Sequence, residues 1–342
     1  MLAAHYAGNR TMTVEEAEPT PPGPGEVQIA VAYTGICGTD LHILNGHMDA
    51  RVNTPAVIGH EMSGTVAALG DGVEGWSLDD PVTVMPLAWD GTCPACLAGN
   101  AHICQNLDFV GIDSPGALQS RWNVDAALLV PLPATLPLRH AALVEPTAVA
   151  VHDVRRAELE PGHKAVVIGG GPIGVLIASV ARSFGGEVIV IELDPVRREQ
   201  AADLGFIALD PRDDTVAAVE EWTGGAGADV VFEVSGAAAA VLGAVDYAKV
   251  RGTLVVVAIH PEPRPVNLQR VFWRELRLLG ARVYQRDDFD TAVALLDSGE
   301  IPADALITRT VPLADVQSAF DALTAGAAMK ILIDVQAGQE HS

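Results

Sequence analysis

Up to about Leu143 the chain reads as short apolar and β-branched runs broken by Gly and Pro: EVQIAVAYTG, EMSGTVAALG, DPVTVMP and DAALLVPLP. No long amphipathic period interrupts them, so this stretch predicts a mostly β domain of barrel or sandwich type. From about Pro146 the rhythm changes. The runs KAVVIG, EVIVIE, FIALD, ADVVFEV, GTLVVVAI and LRLLGA alternate with Ala-rich segments of helix length, which is the pattern of a doubly wound parallel sheet. Beyond about Tyr284 the pattern is mixed, with a helix predicted near 287–298, another near 313–325 and a last strand in MKILIDV. That tail is short for a third domain and is expected to pack back onto the first. The predicted division is 1–145, completed by 283–342, around an inserted 146–282.

Composition narrows the classes. The 342 residues, 49% of them hydrophobic, are ample for roughly two cored domains and argue against disorder. Against 21 Lys+Arg stand 44 Asp+Glu, a formal charge of −23, so the long-range field repels nucleic acid and anionic membranes. An anionic ligand must be captured by local geometry instead. The N-terminal residues show no basic segment leading into an apolar one, and the longest uncharged stretch, 165–181, is glycine-rich and short of a membrane span. A cytoplasmic protein is expected. Three of the four cysteines crowd together as Cys93, Cys96 and Cys104, which in a reducing compartment points to metal rather than disulfides.

The segment VVIGGGPIG places Gly169, Gly171 and Gly174 as G-x-G-x-x-G, with Pro172 and Ile173 between them, after one strand run and at the opening of a helix. The second strand run ends in Glu192, where a carboxylate can accept hydrogen bonds from a ribose diol. The helix N-terminus offers unpaired N–H groups to a pyrophosphate. Glu192 would repel a 2′-phosphate and so favours NAD over NADP. Arg197, five residues on, either accommodates the phosphorylated cofactor or is a solvated helix charge.

Candidate metal ligands appear in three places: Cys37 in GICGTDLH, His60 and Glu61 in GHEMSG, and Glu145 in VEPTAVAVH. A thiolate, an imidazole and a carboxylate form a donor set that suits zinc, and three protein ligands leave a position open for water or substrate.

Taken together, GICGTDLH, GHE, the cysteine cluster, EPTAVAVH, GGGPIG and TGGAGADVVFEVSG resemble the zinc-dependent medium-chain alcohol dehydrogenases, most closely the butanediol, sorbitol and threonine dehydrogenase branch. The resemblance runs from end to end. It implies a partly open, GroES-like β-barrel catalytic domain and a Rossmann domain, with Zn²⁺ and NAD as cofactors and a homodimer or homotetramer as the assembly. The dimers often form through the last strand of the parallel sheet, here near 276–281.

By the same resemblance, Cys37, His60 and Glu145 match catalytic zinc ligands, with Glu61 an alternative ligand or one acting through water. One thiolate and one carboxylate neutralise Zn²⁺, whereas both glutamates would leave the site at −1, so one glutamate at a time is expected. Asp40 matches a carboxylate that orients the ligand histidine; a turn or capping role is the alternative. Asp90, Cys93, Cys96 and Cys104 match the structural zinc lobe, with Asp90 where the family pattern has a cysteine. Either Asp90 completes that site or it stands in solvent. Thr39 and His42 match a relay in which a hydroxyl beside the substrate passes its proton, by way of the cofactor ribose, to a histidine facing water. The alternative is a backbone-bonded Thr39 and an ordinary surface His42.

The implied activity is hydride transfer between a secondary alcohol, vicinal diol or polyol and NAD. The segment VAIHPEPRPVNLQRVFWRE tilts the reading towards a 2,3-butanediol-type substrate, with sorbitol-type polyol or L-threonine 3-dehydrogenase activity as alternatives. Trp89 and Trp122 are candidates for the pocket wall or for ordinary core. A zinc-free quinone reductase would lack the ligands seen here, and a non-catalytic NAD(H)-binding sensor or structural protein would show damage to ligands or relay.

Overall fold

A computed structural model of the chain describes residues 1–326 and 328–338. It divides into two compact units. Met1–Glu145, Gln285–Gly299 and the residues from Ala303 onward form one; Pro146–Tyr284 with Glu300–Pro302 forms the other.

The first unit opens with the hairpin β1 (Leu2–Tyr6) and β2 (Met12–Glu16), followed by β3 (Glu26–Gly35), α1 (Gly38–Leu44), β4 (Glu61–Leu69), β5 (Pro81–Val84) and the short β6 (Leu87–Ala88). Next come α2 (Pro94–Leu97), β7 (Asp108–Phe109), β8 (Arg121–Asp125), β9 (Leu129–Pro131), α3 (Leu138–Ala141) and α4 (Val144–Arg156), the last of which leads into the second unit.

In the second unit β10 (Lys164–Ile168), α5 (Pro172–Ser183), β11 (Glu187–Ile191), α6 (Pro195–Asp203), β12 (Ile207–Leu209) and α7 (Thr215–Trp222) are followed by β13 (Ala228–Glu233), α8 (Ala238–Tyr247), β14 (Ala248–Val256), α9 (Leu268–Arg274) and β15 (Arg277–Gly280). The chain then returns to the first unit with α10 (Arg286–Asp297), α11 (Ala303–Leu306), β16 (Ile307–Pro312), α12 (Val316–Thr324) and β17 (Lys330–Asp334).

The six apolar runs form one parallel sheet in the order β12-β11-β10-β13-β14-β15. Val166, Val167, Ile189, Val190, Val231 and Phe232 are all buried, as a sheet covered by helices on both faces requires. The strand order reverses between β10 and β13, and in such sheets the crevice at the strands' C-terminal ends takes the ligand.

The first unit holds a mostly antiparallel sheet ordered β16-β17-β3-β4-β5-β9, with β8 joined to β3. Among the described residues β16 and β9 each pair on one side only, so the sheet does not close and stays a partly open barrel. Its long central strands position the chemistry, because β3 and β4 pair with Gly35 opposite Glu61 and β17 lies against the other side of β3.

Candidate active site and cofactor-binding turn

Cys37 follows β3 and caps α1 in an extended conformation, while His60 and Glu61 stand at the start of β4. The pairing of the two strands therefore brings sequence-distant donors together. One ligand atom from each of Cys37, His60 and Glu61 lies within 4.8 Å of the others. Gly35 is small for a steric reason, since a Cβ there would collide with the Glu61 carboxylate. Glu145 lies outside this compact group, buried at the start of α4, and its charge acts on His60 and on Lys330. The compact triad is thus Cys37, His60 and Glu61 rather than Cys37, His60 and Glu145.

Lys330 was not singled out from the sequence, and it changes the charge sum. Its buried Nζ, on β17, donates to Glu61 Oε1 and Oε2 at 2.8 and 2.6 Å and to the Ile36 carbonyl at 3.1 Å. A divalent cation, one thiolate, two glutamates and one ammonium add up to zero, so the electrostatic ground for admitting only one glutamate falls away. Burial works against the Lys330 ammonium, but the Glu61, Cys37 and Glu145 charges, with the hydrogen bonds to Glu61, together overcome it and raise the pKa above the usual lysine value.

Asp40 closes a helix turn with one oxygen and faces the histidine with the other. Its Oδ2 accepts the Cys37 N–H at 2.9 Å, closing the first turn of α1. Its Oδ1 faces His60 Nδ1 at 3.6 Å, too long for a hydrogen bond, and neither atom has another hydrogen-bond partner. Such an orientation of His60 leaves Nε2 for a metal, and these orphaned buried atoms fit a site whose last adjustment comes with the ion. Burial disfavours the His60 imidazolium, yet Asp40, Cys37 and Glu145 together hold its pKa well above the ordinary histidine value. Phe109, also unflagged by the sequence, packs its ring edge-on against His60 at 5.2 Å and 81°. Thr39 is half-buried in the first turn of α1, with exposed His42 three residues on along the same helix face.

The second donor cluster gathers Asp90, Cys93, Cys96 and Cys104, again with one ligand atom of each within 4.8 Å of the rest. Cys93 Sγ lies 3.5 Å from Cys96 Sγ and 3.8 Å from Cys104 Sγ, with all three as free thiols. The N–H groups of Gln105 and Cys96 draw the Cys93 pKa down to about 7, whereas burial pushes Cys96 up to about 12. Asp90 is turned into this cluster by N–H donors: Thr92 and Cys93 at Oδ1 (2.8 and 2.9 Å) and the Asn106 amide at Oδ2 (2.6 Å). These donors hold its carboxyl well below the usual range, Asn106 contributing most. A preformed carboxylate and three thiols suit tetrahedral zinc.

In the second unit the glycine-rich turn joins β10 to α5. Gly169 has φ +111°, and a side chain at Gly174 would collide with the Gly169 carbonyl. Gly171 caps α5 without any side-chain bond, followed by Pro172 and Ile173 in the first helical turn. This leaves an open cradle of the kind that takes a pyrophosphate. Arg197 Nη1 is 3.6 Å from where a Cβ on Gly171 would lie, which puts a guanidinium beside that cradle. Glu192, at the end of β11, accepts the N–H of Gly170 at 2.6 Å and of Asp194 at 2.7 Å, so its carboxylate is fixed at the rim of the turn.

The wall candidates separate. Trp122 is core, with its Nε1 donating to the Pro115 carbonyl at 2.9 Å, while Trp89 is exposed beside Asp90.

Residues 23–134 match the family described as alcohol dehydrogenase GroES-like domain, and residues 172–298 match the zinc-binding dehydrogenase family. The chain is 51% identical to 2-dehydro-3-deoxy-L-galactonate 5-dehydrogenase of Pseudoalteromonas atlantica, over 99% of this chain and 100% of that protein. The crystal structure of 2R,3R-butanediol dehydrogenase from Bacillus subtilis superposes with a TM-score of 0.90 at 33% identity, covering 98% of this chain and 99% of that one. A Sinorhizobium meliloti protein assigned as a zinc-binding dehydrogenase and solved with NADP superposes with a TM-score of 0.92 at 30% identity, covering 98% and 99%. The chain belongs to the zinc-dependent medium-chain alcohol dehydrogenase family. It is a zinc- and nicotinamide-dependent oxidoreductase acting on CH–OH groups. Among the described residues no helix is long and apolar enough to cross a membrane.

Proposed function

We propose that the chain oxidises a secondary hydroxyl of a polyhydroxylated sugar acid and catalyses the reverse reduction of the ketone. Support for the acid comes from the 51% identical relative, whose substrate is a deoxy-galactonate. This reading shifts the favoured substrate away from 2,3-butanediol, while keeping both in the class of chains with several hydroxyls. The observation that carries the chemistry is the triad of half-buried Cys37 with buried His60 and Glu61, and Lys330 behind it.

A metal bound there supplies Lewis-acid polarisation of the substrate hydroxyl, and the nicotinamide supplies the hydride acceptor. Cys37 and His60 hold the ion, and Asp40 keeps His60 turned towards it. Glu61 and Glu145 are the carboxylates available as a third ligand, with Lys330 offsetting the extra charge. Phe109 keeps water from one side of His60. In this reading the Thr39 hydroxyl accepts the substrate proton and His42 carries it outward. Gly171 and the α5 terminus take the pyrophosphate, and Glu192 takes the adenosine ribose, an arrangement favouring NAD over NADP. A reducing, cytoplasmic setting suits the free thiols at both metal sites.

The test joins metal analysis to an assay at the nicotinamide absorbance band, with deoxy-aldonates, sorbitol, threonine and 2,3-butanediol as substrates. Cys37→Ala is expected to lose the catalytic equivalent of metal. Turnover should then fall by at least about a thousandfold, the scale of several kcal/mol of lost charge stabilisation. Normal turnover in that variant contradicts the assignment, and a higher kcat/KM for butanediol than for the aldonates contradicts the substrate.

A further inference from the structure

Helix α1 ends in a Schellman motif. Asn45 is the C-cap and Gly46, at φ +78°, is the left-handed residue that follows. The Gly46 N–H donates to the Ile43 carbonyl at 2.9 Å, and the His47 N–H donates to the His42 carbonyl at 3.0 Å. This second bond folds the chain back so that the side chains of His47 and His42 meet. Their Nδ1 atoms are 3.3 Å apart and their ring centroids 5.6 Å apart. The turn is braced from outside by Asp49, which lies against Gly46 and accepts the Tyr6 hydroxyl at 2.9 Å.

We infer that His47 is the outer member of the proton relay, receiving at its Nδ1 the proton that leaves His42 Nδ1 and releasing one from Nε2 to water. The inference rests on the reading of His42 as the residue that carries the substrate proton outward.

The Nδ1-to-Nδ1 contact has a chemical consequence. Two neutral imidazoles can share that hydrogen bond only if one carries its proton on Nδ1 while the other offers a bare Nδ1. With the proton on His42 Nδ1, the Nε2 of His42 is free to accept. A proton arriving at Nε2 makes His42 an imidazolium. The His42 Nδ1–H bond then breaks as a His47 Nδ1–H bond forms, and His47 loses its Nε2 proton to water or buffer. No electrons change hands, and exchange with solvent resets both rings, which are exposed. His42 thereby delivers protons through a fixed partner instead of waiting for buffer to reach it. His47 acts through His42, which makes it a positioning residue that also passes the proton on.

Two measurements test this. Long-range ¹H–¹⁵N spectra of the histidines are expected to show one neutral Nδ1–H ring in the His42 and His47 pair, with His42 returning to the common Nε2–H tautomer in His47→Ala. Stopped-flow alcohol oxidation with a pH indicator in weak buffer is expected to release its proton about three- to tenfold more slowly in His47→Ala, a loss restored by added imidazole. His42→Ala should slow release at least as much, and the double variant no further. Two Nε2–H rings in the parent protein overturn the inference. So does unchanged proton release in His47→Ala when His42→Ala is slow. If His42→Ala also releases its proton at the parent rate, the relay reading itself fails.

Discussion

Lys330 is one of only three lysines in the chain, and it is buried against Glu61 with both partners almost fully shielded from water. Taking two charges out of water is costly, and the mutual attraction repays it only while both are present. Lys330→Met should therefore destabilise the metal-stripped protein by about 3–5 kcal/mol, because it leaves the Glu61 carboxylate buried without its cation. Adding Glu61→Leu should recover most of that loss, since an apolar pair of similar volume removes the stranded charge. Denaturant unfolding of the two variants beside the parent is the measurement. A cost well under 1 kcal/mol for the single variant would mean that the carboxylate is already neutral or is hydrated in the native state.

At the scale of elements, motifs carried by a short stretch of chain were legible, and contacts made by distant strands were not. The glycine-rich turn shows in sequence because one β-to-α connection holds the three glycines and the next strand supplies Glu192. The parallel sheet shows because strands covered on both faces become continuous apolar runs. Lys330 is hidden in the last strand, 269 positions from Glu61, and only the β17, β3 and β4 pairing brings them together. Phe109 reaches His60 in the same way, across a loop with no periodic signal. His47 carried a local signal that was passed over, the glycine just past the end of α1.

The cysteine lobe lies between these cases, because its spacing is legible while the fate of Asp90 depends on the Asn106 amide that turns the carboxylate inward. Asp90→Ala is accordingly expected to lower bound zinc by one equivalent and reduce the melting temperature while the catalytic ion stays, and Asp90→Cys should restore the count. Full zinc content and chelator resistance in Asp90→Ala would reduce Asp90 to a solvated carboxylate.

The whole molecule leaves one surface of the second unit chemically unfinished. Strand β15 ends its sheet and pairs with β14 alone among the described residues, so its outer N–H and C=O groups lack strand partners. Natural edge strands are usually covered, shortened or charged, and β15 carries half-exposed Leu278 beside α9, whose Phe272 and Trp273 are 74% and 73% exposed. Two such aromatics beside an open edge fit a second copy of the chain, because antiparallel pairing of β15 with itself around a two-fold axis satisfies both edges at once. The net charge of −23 opposes chance association, so a self-complementary patch is needed to hold two copies together. The expected assembly in solution is a dimer through β15 and α9, or a tetramer that contains it. Leu278→Lys combined with Trp273→Ser should shift light-scattering mass towards the monomer and leave zinc content unchanged, because both metal clusters lie in the other unit. A parent protein that is monomeric at micromolar concentration, or a double variant with the parent mass, would show that this edge is covered by something other than a second copy.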